Sequence, residues 1–160
     1  FIENNEYGLS FVSGEWNIAG TVKGNLLFEA RVDQGTLNRQ AFDNSRFTIN
    51  TVEGDLSVLS KTFGAFSEGI FNIETVRGTS RFIGEASGGY DFFSADINIE
   101  NCPNVIISSE GRAAIYDSHS NFGSGVGLVD VTVKSGFDVV YSTILNAQYA
   151  DEIILKCETD

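Results

Sequence analysis

One histidine, two cysteines and 22 carboxylates are the raw material for any chemistry in this chain. His119 lies in the polar run Tyr116-Asp117-Ser118-His119-Ser120. A hydrolytic triad needs a histidine, a nucleophile and an acid brought together in space, and adjacency in one loop does not supply that geometry. No Gly-x-Ser-x-Gly elbow occurs, because Gly123-Ser124-Gly125 lacks the spacing. The simpler reading of His119 is a solvent-exposed loop histidine. Paired carboxylates could serve glycoside hydrolysis, but such pairs are recognised by separation in space rather than in sequence. No catalytic residue is assigned, and whether the chain is an enzyme stays open.

Cys102 and Cys157 lie 55 residues apart with no Cys-x-x-Cys spacing. One histidine and two distant cysteines do not make a zinc site. Asp117 to Asn121 and Asp91 to Asp96 are oxygen-rich enough to touch calcium, but neither has EF-hand spacing. No metal and no cofactor is expected. A Cys102–Cys157 disulfide is expected, and it would close a long loop. The alternative is two buried free thiols, since Cys157 shares strand parity with Ile153 and Leu155.

The formal net charge of −12 sets the choice of partners. Such a surface repels phosphate backbones and anionic lipid, which argues against nucleic acid. No apolar run reaches the ~20 residues of a membrane helix. A chain that opens on Phe1, with no Met anywhere, looks like a processed product. Export is therefore expected, to a secreted, extracellular or periplasmic site. Partners of the right kind are a small hydrophobic molecule or a glycan, with a homo-oligomer as a further option. Trp16 could stack on a sugar, but it continues the alternation with Ile18 and reads better as core.

The elements that must position these groups are strands. Phe93, Ala95, Ile97 and Ile99 point one way while Ser94, Asp96, Asn98 and Glu100 point the other. The same period of two recurs at Leu26 to Val32, Phe47 to Thr51, Val129 to Val133, Phe137 to Thr143 and Ile153 to Cys157. Turn signals such as Glu53-Gly54-Asp55, Gly88-Gly89 and Ser135-Gly136 punctuate them. About 8–11 strands with little helix, in a single all-β domain over 1–160, predict an antiparallel β-barrel, with a β-sandwich as the alternative. No internal repeat of 20–50 residues is visible, which predicts neither a propeller nor a solenoid. Phe92 breaks the alternation as the apolar residue on the wet face, so Tyr90, Asp91 and Phe92 are candidate ligand contacts.

The segment Arg77 to Phe92, RGTSRFIGEASGGYDF, resembles a glycine-rich corner of the allene oxide cyclase/dirigent-type β-barrels. Gly78, Thr79, Arg81, Phe82, Gly84, Ala86 and Gly88 carry the likeness. Ser80 stands where a glycine is usual, and Glu85 where a small residue is usual. Glu53-Gly54-Asp55-Leu56 is similar to the preceding hairpin, so the likeness covers mainly residues 53–93. It implies an eight-stranded antiparallel barrel with an apolar pocket. The expected function is then an exported barrel that binds a small hydrophobic molecule, with the option of steering its cyclisation or isomerisation. Arg81 joins the candidate ligand-binding residues, placed to reach back to Glu74 or Asp91. The alternative function is a non-enzymatic extracellular binding or structural module: an adhesin, a surface-layer component or a lectin-like domain.

Overall fold

A computed structural model describes residues 2–4, 11, 13–31, 41–61, 66–85, 90–109, 113–134 and 144–158. The strands are β1 (Ile2–Asn4), β2 (Glu15–Val22), β3 (Leu26–Arg31), β4 (Arg46–Val52), β5 (Leu56–Lys61), β6 (Phe66–Ser67) and β7 (Ile70–Val76). They continue as β8 (Thr79–Gly84), β9 (Tyr90–Phe93), β10 (Asp96–Ser109), β11 (Ala113–Tyr116), β12 (His119–Lys134), β13 (Ile144–Asn146) and β14 (Glu152–Glu158). No helix occurs among the described residues.

Every strand pair is parallel. The first face stacks β1, β3, β5, β8, the C-terminal half of β10, the C-terminal half of β12, and β14. The second stacks β2, β4, β7, the N-terminal halves of β10 and β12, and β13. The third stacks β6, β9 and β11. The chain thus visits three faces in turn and returns one strand spacing further along an axis. This is a parallel β-solenoid, not an antiparallel barrel or a sandwich.

The register exposes a repeat that residue identities conceal. Leu56 faces Ser80, Ser80 faces Val105, Val105 faces Val129 and Val129 faces Ile153, in steps of 24, 25, 24 and 24 residues. On the second face, Glu15 faces Arg46 and Asp96 faces His119, in steps of 31 and 23. Most steps lie close to 24 residues, but the stacked positions carry different residues from rung to rung, so residue identities do not display the period. The segment expected to be a barrel corner is the turn before β8 and then β8 itself, a strand between β5 and β10.

Inward side chains stack into columns. Phe11, Phe42, Phe66 and Phe92 lie ring over ring, with centroids 4.9, 5.2 and 4.6 Å apart and planes within 2°, 9° and 9°. Trp16, Phe47 and Phe71 form a second column at 6.1 and 4.9 Å. Where the rings lie on paired strands, as with Phe66 and Phe92 or with Trp16, Phe47 and Phe71, in-register parallel pairing sets each side chain over its counterpart one strand spacing away. Each such aromatic pair adds about 0.5–1.5 kcal/mol beyond area burial.

Two corners recur. Before the second face, Ser13, Asn44, Glu68, Ser94 and Asp117 all have φ between 48° and 52°. Each precedes a small residue: Gly14, Ser45, Gly69, Ala95 and Ser118. One left-handed residue turns the chain, and its N–H donates to the next rung: Asn44 to the Ser67 carbonyl (3.1 Å), Glu68 to the Phe93 carbonyl (2.8 Å). Between the second and first faces, glycine admits the neighbouring rung. A Cβ on Gly54 would lie 2.2 Å from Asn25 Oδ1, and one on Gly78 2.2 Å from Asp55 Oδ1. Those oxygens are occupied: Asn25 Oδ1 accepts from the Asp55 N–H at 2.9 Å, and Asp55 Oδ1 from the Thr79 N–H at 2.8 Å.

The expected disulfide is absent. Cys102 is a buried free thiol, 3.3 Å from Ser80 Oγ and donating to the Asn104 carbonyl at 3.0 Å. Register explains why. Cys102 pairs with Val126 on one side of β12, and Cys157 pairs with Val133 on the other. Two strand spacings, roughly 9–10 Å, separate them before any offset along β12, and a disulfide spans a Cα separation below about 7 Å.

Candidate ligand groove on the second face

Outward positions on the second face also form columns. Asn17 faces Thr48, which faces Asn72, then Asn98, Asn121 and Asn146. Five of these six positions carry asparagine, and all six are half-buried or exposed. Asn98 Nδ2 donates to Asn72 Oδ1 at 3.0 Å, and Asn121 Nδ2 donates to Asn98 Oδ1 at 2.9 Å. An amide has two donor hydrogens and an acceptor oxygen with two lone pairs. The ladder uses one donor and one lone pair of Asn98. The remainder faces outward and repeats at the strand spacing of about 4.7–4.9 Å.

Beyond the amides the strands bend from the second face to the first, and a second outward row begins there. After the inward Ile49, Ile73 and Ile99, two successive residues point outward before the next buried one: Asn50-Thr51, Glu74-Thr75 and Glu100-Asn101. The register between β2 and β4, and between β10 and β12, shifts at the same height. Asn101 Nδ2 donates to the Glu74 carbonyl at 3.1 Å and ties two bends together. The result is an open groove of about 570 Å³ along the axis, lined by Asn17, Asn72, Asn98, Asn121, Glu74 and Glu100 among others. Gly123 closes one wall, since a Cβ there would meet Glu100 Oε2 at 2.5 Å.

Beside the amide column, His119 Nδ1 lies 3.4 Å from Asp96 Oδ1, both half exposed. Ser118 is buried and its Oγ accepts from the Ala95 N–H at 3.1 Å. Among the described residues no group of three or more His, Cys, Asp or Glu is arranged to hold a metal ion.

The sequence-derived candidates do not gather at this groove. Phe92 is 1% exposed and belongs to the third-face aromatic column. It breaks the alternation because Ser94 is a left-handed corner residue, which resets the inward parity between β9 and β10. Tyr90 and Asp91 lie in β9, and their side chains fall outside the described residues. Arg81 points outward from the first face and pairs with Asp55 at 2.9 Å rather than with Glu74, and the Asp91 side chain lies outside the described residues. The N–H of Thr79 and then the Arg81 guanidinium hold the Asp55 carboxyl below the usual carboxylate range. Trp16 is 37% exposed, with one face on Phe47.

The amide column has a sequence signature. Asn17-Ile18, Thr48-Ile49, Asn72-Ile73, Asn98-Ile99 and Asn121-Phe122 repeat a polar-apolar pair once per rung. Among the described residues, no helix is long and apolar enough to cross a membrane. No protein-family model, no curated protein and no solved structure matches the chain.

Proposed function

We propose that the protein is a non-enzymatic extracellular binding module, and that its ligand is a neutral glycan laid along the amide column of the second face. The supporting observation is the repetition of Asn72, Asn98 and Asn121, each presenting a donor and an acceptor at the strand spacing. A sugar hydroxyl is also donor and acceptor, and a polysaccharide repeats along its length as the groove does. The open groove suits a chain that enters and leaves at both ends. Glu74 and Glu100 along its wall, with a net charge of −12, disfavour sulfated or uronate-rich polymers. The expectation of an apolar ligand goes with a barrel cavity, and the described core is instead a cluster of buried phenylalanine and aliphatic side chains.

Affinity electrophoresis through gels containing neutral or anionic polysaccharides tests the reading. Retardation in at least one neutral polymer is expected, lost in Asn98→Ala and Asn72→Ala and kept in Ser57→Ala, on the outer side of the first face. Thermal melts run alongside confirm that the variants are folded. Free migration in every neutral polymer, or retardation that survives both asparagine substitutions, overturns it.

A further inference from the structure

Among the described residues, β14 is the outermost strand of the first face. β14 pairs with β12 along one edge, and among the described residues nothing pairs with the other. Register puts Ile153 over Val129 and Leu155 over Val131, so both continue the inward row of the first face. Val129 is fully buried, whereas Ile153 is 47% and Leu155 66% exposed. A free edge with an apolar inward row is a template for strand addition.

The sequence of that edge is complementary to itself. Glu152-Ile153-Ile154-Leu155-Lys156 reads acid, three apolar residues, base. In an antiparallel pair of two copies centred on Ile154, Glu152 of each copy lies opposite Lys156 of the other. Ile153 of each lies opposite Leu155, on the inward side. Residues directly opposite in an antiparallel pair share a face and touch, so one register satisfies the charges and the apolar row together. A parallel pairing in the same register would set Glu152 on Glu152 and Lys156 on Lys156. Lys156 Nζ already contacts Asp130 Oδ2 at 3.1 Å, which holds the ammonium on the outer face, and its remaining donors are free for a second carboxylate.

We propose that the edge of β14 is a dimerisation surface for a second copy of this chain, paired antiparallel about a two-fold axis through Ile154. The contact is isologous and closes at two copies. This inference is independent of the groove, which lies on another face.

Sedimentation equilibrium at about 0.15 M salt, where charge repulsion is screened beyond about 8 Å, tests it. The wild-type mass should rise with concentration to twice the 17.4 kDa of one chain. Glu152→Lys and Lys156→Glu, each of which sets like charges opposite at both symmetry-related positions, should each raise the dissociation constant by roughly tenfold or more. Mixing the two variants should restore the dimer, because every cross-strand charge pair is then attractive. Leu155→Ser, at a largely exposed site, should give a folded monomer. A wild type that stays monomeric, single variants that dimerise as the wild type does, a mixture that stays monomeric, or masses growing beyond two copies would overturn the proposal.

Discussion

β2 and β7 lie on the same face in the same register, with Trp16 over Phe47 and Phe47 over Phe71. Phe71 and Ile73 are buried in β7, whereas no residue of β2 is. The first face shows the same contrast at its other end, between Val129 and Ile153. Inward position is a property of a strand's own alternation. Burial also requires a rung on each side. An inner rung stacks its aromatic rings, passes its corner side chains to its neighbour and fills both strand edges. An end rung has the pattern with half the partners.

The largest expected effect lies within the aromatic column. Phe66→Ala removes a ring stacked between Phe42 and Phe92 and should cost about 3–5 kcal/mol in denaturant unfolding. Leu155→Ala, measured at concentrations where the chain is monomeric, should cost no more than about 0.5 kcal/mol. Equal costs would break the contrast between inner and end rungs.

Two glycines sharpen it. Gly78→Ala drives a methyl against Asp55 Oδ1 and the Gly54 carbonyl of the rung before it, and should cost about 1–3 kcal/mol. Gly20 lies in the end strand β2 with nothing within 4 Å of its Cβ position. Gly20→Ala should be neutral or stabilise by about 0.4–1 kcal/mol through the unfolded chain. Thermal unfolding of the two variants side by side reads the difference.

An electrostatic link between rungs gives a smaller effect than the loss of Phe66 or the crowding at Gly78. Asp55 links two rungs through Thr79 N–H and Arg81, and its carboxyl titrates below its unfolded value of 3.8. A depressed carboxyl contributes stability that is present above that value and lost as pH falls through the lower folded one. Asp55→Ala should therefore lower stability by up to about 1 kcal/mol at neutral pH, and the gap to wild type should narrow in acid as pH falls below the usual carboxylate range. Unfolding midpoints across pH 2–7 test this, and a gap constant with pH would remove the charge from the account.

The strands themselves were legible. The alternation Phe47-Thr48-Ile49 and Ala95-Asp96-Ile97 assigned inward residues correctly, and those residues are buried. What failed was the assignment of neighbours. Period two belongs equally to antiparallel and parallel strands, and only the connection distinguishes them. Here the connection turns on a single left-handed Glu68 or Ser94, and on Asn44 together with a left-handed Phe42. That signal is a backbone angle, borne by residues of different types. The spacing was hidden for the same reason: a solenoid needs the same shape at each rung, not the same residue. The amide column was written in the sequence as Asn72, Asn98 and Asn121, but it becomes a site only when the register sets one amide on the next.

By itself the sequence determined that this chain forms strands, which side of most of them faces inward, and that an acidic surface surrounds an aromatic interior. Tertiary structure alone decided that the strands run parallel and that Phe92 is core. It also decided that Cys102 stands two strands from Cys157, and that separate asparagines form one groove. The physical reason is range. Alternation arises within a few residues from the geometry of one strand, whereas stacking sets residues some 24 positions apart at one strand spacing.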